Sequence, residues 1–273
     1  MTASSVSFDR AAGYYDATRG FPPGVAGRVR DAIVAHVGVS REDRILELGV
    51  GTGRVAIPFV QAGYRYFGVD ISLEMLAVFR SKLATPLRLI QADVARLPLA
   101  NGRFDLAIAV HLLHLVADWR AALRETRRVL RPGGTLLLAG SPGGVSHSGP
   151  LHELAPPAQA RRLWLITLEE LGASPSMGQP GVRMEDPQLA AYLEELGASL
   201  EWTTLLEYTS LPLSARDVLR QHQERIYSSD WALPPHIHSA AIARLERWIN
   251  SSCADPDTPY GLPARFQALL ARW

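Results

Sequence analysis

The chain has 273 residues, of which 47% are hydrophobic and 20% charged, and a net charge of +1. That balance excludes a disordered chain and argues against a dedicated nucleic-acid binder. The single cysteine, Cys253, excludes an intrachain disulfide framework and a cysteine zinc cluster. No apolar run approaches the ~18 residues that span a bilayer, and the start, MTASSVSFDR, lacks a charged-then-apolar signal pattern. The expectation is a cytoplasmic monomer or homodimer with no nucleic-acid and no membrane partner.

Residues 1–20 are polar and then aromatic, FDRAAGYYDATRG, with a short helix expected over Asp9 to Tyr15. Pro22 and Pro23 end this stretch, and a helix follows to about Val37, with Val25, Val29, Ile33 and Val37 on one face. The segment 44–53, RILELGVGTG, reads as a buried strand entering a glycine loop. In a parallel α/β sheet such a loop is where a nucleotide-like ligand binds. A dinucleotide fingerprint wants glycines at 49, 51 and 54. Arg54 stands in the third place, and Glu47 precedes the loop, an acid that disfavours a nearby pyrophosphate and suits hydroxyls and an amine.

A helix over about 54–62 follows, with Pro58 in its first turn and Gly63 as its cap. The second strand, 64–70, ends in Asp70, which lies 19 residues beyond Gly51. A carboxylate there suits a ribose cis-diol, in a nicotinamide enzyme as well as elsewhere. Ser72 is an N-cap for a helix to about Leu83, and Met75 is placed to flank a base or to fill the core. The third strand, 87–93, ends in Asp93; the fourth, 104–116 with its exit, carries His111 at its carboxyl end, facing the cleft. An amphipathic helix from Trp119 to Leu130 and the turn LRPGG lead to a fifth strand, TLLLAG.

ELGVGTG, the acid Asp70, the pair Ala92-Asp93, the Leu113-His114 and Asp118 segment, and helix–LRPGG–strand occur in the order found in class I S-adenosylmethionine (SAM)-dependent methyltransferases. The N-terminal FDRAAGYYD resembles the lid of the small-molecule ubiquinone/menaquinone C-methyltransferases. The resemblance covers about residues 8–140. It implies a Rossmann-like, doubly wound α/β sheet of seven strands, mostly parallel with an antiparallel last strand. It also implies SAM as cofactor and a small-molecule acceptor. The cofactor residues it implies are Tyr15 and Arg19 from the lid, Glu47, Gly49, Gly51 and Gly53 from the loop, Asp70, Ile71 and Met75, Asp93 and Val94, and His111. His111 is also the candidate base, ahead of His114, His147 and His222; His236 and His238 read as surface residues. No metal cluster is expected.

Beyond Gly140 the chain reads as a helical insertion over 141–197, a sixth strand over 198–211, a helical cap insertion over 212–260 and a seventh strand over 261–273, around a 21–140 core and a 1–20 lid. Helices are expected near 158–171, 187–196, 214–228 and 236–250. Lid and cap are expected to close over one mouth of the sheet. Ile226, Tyr227, Trp231, Ile237, Leu245 and Trp248 give the cap a face suited to a partly apolar acceptor. Two other readings remain: an NAD(P)-dependent oxidoreductase, opposed by Arg54 and Asp93, and a SAM-binding regulatory protein without turnover.

Overall fold

The computed structural model describes residues 4–84, 87–140, 150–174 and 177–273. Its sheet is built from β1 (Arg44–Leu48), β2 (Arg65–Asp70), β3 (Arg88–Gln91), β4 (Phe104–Val110), β5 (Leu130–Gly140), β6 (Ser199–Thr209) and β7 (Pro263–Arg272). The order is β3-β2-β1-β4-β5-β7-β6. The pairs β1–β2, β1–β4, β2–β3 and β4–β5 are parallel, and β7 runs antiparallel to β5. The expected doubly wound, seven-stranded sheet with an antiparallel last strand is therefore what the chain forms. Strands covered on both faces read as continuous apolar runs, and Ile45, Leu46, Leu106, Ala107 and Ile108 are each 0% exposed. The strand order reverses between β1 and β4, which opens a crevice at their carboxyl ends.

The helices are α1 (Tyr15–Arg19), α2 (Val25–Val37), α3 (Ala56–Gln61), α4 (Leu73–Ser81), α5 (Trp119–Val129), α6 (Pro156–Glu170), α7 (Pro187–Glu195), α8 (Ala215–Gln223), α9 (Ser228–Trp231) and α10 (Pro235–Ser251). The N-terminal stretch departs from the expected helix over Asp9 to Tyr15. It forms a 3-10 turn, Asp9–Ala11, and then α1, so that Tyr15 begins a helix rather than ending one.

The chain divides into two units. The first comprises Met1–Pro142, Pro180–Glu207 and Arg265–Trp273; the second comprises Gly143–Gln179 and Tyr208–Ala264. Helix α7, which the sequence groups with the 141–197 insertion, belongs to the first. Its Leu189 and Leu193 are buried in one cluster with Leu136, Leu138, Leu123 and Leu269. Two backbone bonds, Gly181 N–H to His114 O (3.1 Å) and Val182 N–H to Leu113 O (3.2 Å), fasten the chain to the exit of β4 just before α7 begins.

The second unit has its own core of Leu163, Trp164, Leu168, Val218, Leu245 and Ile249, from α6, α8 and α10. Ser214 and Asp217 form a capping box that starts α8. The helix expected over 214–228 is interrupted. Arg225 takes a left-handed φ of 49°, which ends α8, and its guanidinium donates to the carbonyls of Asp230 (2.8 Å) and Leu233 (3.2 Å).

Candidate active site

The glycine loop hangs between β1 and α3. Gly49, Gly51 and Gly53 have φ of 65°, 55° and 85°, a region that side chains disfavour. Two of the three glycines also make room for this chain's own packing. A Cβ on Gly49 would come 2.6 Å from Leu112 Cδ1, and one on Gly53 would come 2.3 Å from the Phe79 ring. The bare backbone left for a ligand is thus narrower than three glycines imply. Met75, 3% exposed, lies beneath the loop, its Cε 3.2 Å from where a Gly51 Cβ would stand.

Asp70 ends β2 and braces the loop. Its Oδ2 accepts from Gly51 N–H (2.8 Å), and its Oδ1 accepts from Ser72 N–H (2.9 Å). Burial raises its pKa against these bonds. A carboxylate offers about four acceptor positions, so the backbone amides of Gly51, Ser72 and Ile71 still leave capacity for a ligand. Ile71 and Leu73 beside it are 39% and 49% exposed, an apolar ledge next to the acid. Ser72 caps α4 as expected, accepting from Met75 N–H (3.1 Å).

Glu47 is 3% exposed and accepts from Tyr66 Oη at 2.8 Å. Burial pushes its pKa up to about 8, against the pull of Tyr66 and Arg54, so the group is largely neutral at pH 7. The sequence argument that Glu47 repels a pyrophosphate therefore loses its force, because a neutral acid exerts little field. Its place in this structure is to tie β1 to β2 beneath the loop.

His111 follows β4 with φ 52°, uncommon for a residue with a side chain and a form of backbone strain that clusters at functional sites. Its N–H donates to Ala139 O (2.9 Å), and its ring lies against Gly140, where a Cβ would meet Nδ1 at 3.3 Å. The ring is open to solvent yet crowded by protein. That crowding lowers its pKa, and the charges of Arg54, His114 and Arg19 act in the same direction. His114 is shifted down too, first by burial and then by Arg183 and Arg19. His111 is therefore neutral at pH 7 and able to accept a proton, but it is a weak base.

The N-terminal segment crosses this same edge and touches the loop after each of three strands. Beyond β4, Val6 N–H donates to Leu115 O (2.9 Å) and Ala117 N–H to Ser5 Oγ (3.2 Å). Beyond β2, hydrogen bonding to Ser72 and Glu74 lowers the pKa of Asp9. Beyond β1, Thr52 Oγ1 donates to Asp16 Oδ1 (2.6 Å), Lys82 pairs with Asp16, and Arg54 donates to Arg19 O (2.9 Å). Arg54 also lies 4.8 Å over the Phe21 ring. The residue that breaks the dinucleotide fingerprint thus anchors the N-terminal segment. Tyr15 packs edge-on against Phe8 with ring centroids 5.9 Å apart.

Asp93 is exposed, and its Oδ1 accepts from Ala95 N–H (2.9 Å), so here it caps the turn after β3. Val94 turns its side chain into the core, 6% exposed. His222 lies in the second unit, bonded through Nδ1 to the buried Asp230 (2.9 Å) and stacked on Trp164 at 4.0 Å. His238, read as a surface residue, is buried, with Nε2 2.8 Å from His222 O. The same helix turns Ile237, Ala241 and Leu245 into the core, and a position one turn along shares that face. His147 and Ser141 fall outside the described residues. Asp16, Thr52 and Lys82, which join the N-terminal segment to the loop, were not singled out in the sequence. Their only signal was the Y-D pair around Asp16.

A doubly wound sheet in this strand order, with an acid-braced glycine loop at the switch point, is a Rossmann-like fold. Residues 46–138 match the family model described as a methyltransferase domain. The ubiquinone/menaquinone biosynthesis C-methyltransferase of Syntrophotalea carbinolica is 38% identical over 137 residues, which are 48% of this chain and 58% of that protein. The chain thus matches little more than half the length of that relative. A solved structure of a putative methyltransferase from Bacillus halodurans superposes with TM-score 0.57 at 17% identity, covering 89% of this chain and 97% of that one. The [4+2]-cyclase SpnF superposes with TM-score 0.56 at 18% identity, covering 99% and 97%. At these identities the likeness is one of fold, and the fold alone does not choose the reaction.

Proposed function

We propose that this chain is a SAM-dependent methyltransferase acting on a small, partly apolar acceptor. The observation that carries the reading is Asp70. It braces the glycine loop through Gly51 and Ser72, keeps acceptor positions to spare, and stands beside an exposed apolar ledge. That combination fits a ribose diol with a flat base next to it. When bound, S-adenosylmethionine would supply a sulfonium methyl group that a nucleophile attacks in line, with S-adenosylhomocysteine as the leaving group.

In this reading Asp70 would hold the ribose hydroxyls, Ile71 would cover the adenine, and Asp93 would accept from its amino group while still capping its turn. The backbone of Gly49 and Gly51 lines the methionine side, Met75 supports it from below, and Val94 contributes main chain. Arg19 matches the methionine carboxylate, to which an arginine binds bidentately. Tyr15 and the rest of the N-terminal segment keep water from the cofactor. Positive charge disperses during methyl transfer, so alignment can supply most of the rate. A base is required only if the acceptor must first lose a proton. His111, neutral and next to the β4 exit, is placed to orient an acceptor, and its low pKa suits an acceptor that is already nucleophilic.

The test is a thermal-shift screen with SAM, S-adenosylhomocysteine and NAD(P), followed by transfer of labelled methyl to pooled metabolites. The reading expects stabilisation by the first two ligands alone and label in a small organic product. Stabilisation by NAD(P) in their place would overturn it. SAM binding without transfer to any pool would favour a regulatory protein.

A further inference from the structure

An arginine opens each of four neighbouring parallel strands. Arg44, Arg65 and Arg88 are the first residues of β1, β2 and β3, and Arg103 immediately precedes β4. Strand register brings them together, with Arg44 beside Arg65 and Arg88 beside Phe67. Side chains two apart on a strand share a face, so Arg44, Arg65, Phe67 and Arg88 point to the same side. With Arg103 they line a cavity of about 570 Å³, whose walls also include Tyr64. It lies at the amino ends of the strands, roughly 15–20 Å from the glycine loop at ~3.3 Å per strand residue.

Among the described residues, no acidic one lines this cavity. Arg65 pairs with Glu42 at 2.5 Å, both exposed at the surface. Among the described residues, no carboxylate pairs with the side chains of Arg44, Arg88 or Arg103. The nearby Asp105 is already engaged by Arg44 N–H (2.7 Å) and by Arg131. The Arg88 guanidinium stands 5.6 Å over the Phe67 ring. Like charges gathered in this way repel one another unless an anion joins them. Guanidinium forks fit phosphate oxygens bidentately, and the half-buried Tyr64 and Phe67 give the cavity an aromatic part of its wall. The volume falls within the roughly 300–1,000 Å³ of small-molecule sites.

We propose that this arginine-lined cavity is a second ligand site, independent of the glycine loop, that takes a nucleoside polyphosphate, with the phosphates on Arg88 and Arg103 and the base against the Tyr64–Phe67 wall. It does not depend on the methyltransferase reading.

Calorimetry of the full chain at low salt with ADP, inorganic pyrophosphate and adenosine is the test. ADP is expected to bind at least tenfold more tightly than pyrophosphate, and adenosine to bind weakly. Arg88→Glu/Arg103→Glu should weaken ADP more than tenfold and leave SAM affinity unchanged. The milder Arg88→Gln/Arg103→Gln should give a smaller loss of the same sign, which guards against misfolding of the first pair. Asp70→Ala should leave ADP binding intact. The proposal is overturned if SAM displaces ADP or Asp70→Ala abolishes its binding, since ADP would then occupy the glycine loop. It is equally overturned if the arginine variants bind ADP like the parent, if pyrophosphate matches ADP, or if a short single-stranded RNA binds more tightly than ADP with the same arginine dependence.

Discussion

Glu47 and Tyr66 meet inside the sheet, and their contact makes stability depend on pH. The Glu47 pKa rises from 4.5 to about 8, chiefly through burial. Below about pH 4.5 the folded and unfolded chains both carry the proton, and the contribution is fully present. As pH rises towards 8, the unfolded chain gives up its proton while the folded chain keeps it, so stability is lost across that window. Glu47→Gln removes this dependence. The thermal midpoint of the variant relative to the parent should climb as pH goes from roughly 5 to 8; a constant difference would contradict the buried neutral acid. Residue identity was legible in the sequence at Asp70, His111 and Ser72, because each ends a strand or starts a helix at a fixed place in the pattern. Residue environment was less so. Glu47 read as a charged acid because burial leaves no mark on the letter, and Gly49 and Gly53 read as space for a ligand although Leu112 and Phe79 fill it.

At the scale of elements, the N-terminal segment is held by polar contacts that cross long sequence separations. Asp16 takes a hydrogen bond from Thr52 and pairs with Lys82, which in turn donates to Thr52 O at 2.8 Å. Both charged groups are partly exposed, so the pair is worth about 1 kcal/mol or less. Asp16→Ala should therefore shift the global midpoint little, yet speed SAM dissociation and raise amide exchange over residues 8–20. Unchanged dissociation would mean the segment is not a lid. The second unit is held differently. Asp230 is 0% exposed and bonded to His222, itself stacked on Trp164. Removing one partner of a buried hydrogen bond costs about 1–3 kcal/mol. Asp230→Ala should thus lower the unfolding midpoint of the second unit in calorimetry without changing SAM affinity; a loss below about 1 kcal/mol would show that the pair is not structural. The elements of the sheet were legible to within a few residues, because apolar runs and turn glycines mark them locally. The break at Arg225 and the two-turn N-terminus were not, because they are set by partners distant in sequence or by a single backbone angle.

At the scale of the whole molecule, the seven-stranded doubly wound sheet with its antiparallel last strand was legible through the family resemblance, but the division into units was not. A helix's pattern shows that it has an apolar face and not which core receives it; α7 read as part of the insertion and buries Leu189 and Leu193 in the sheet's core. The second unit, built from two separate stretches of chain, holds a core of its own. The central claim is that the loop braced by Asp70 holds SAM. Titration calorimetry of SAM into the parent and into Asp70→Ala tests it most directly. Each lost hydrogen bond to a charged group is worth about 1.5–3 kcal/mol, so the account predicts tight binding by the parent and a loss of at least roughly tenfold in the variant, with the fold intact by circular dichroism. Equal SAM affinity in the two proteins would contradict it.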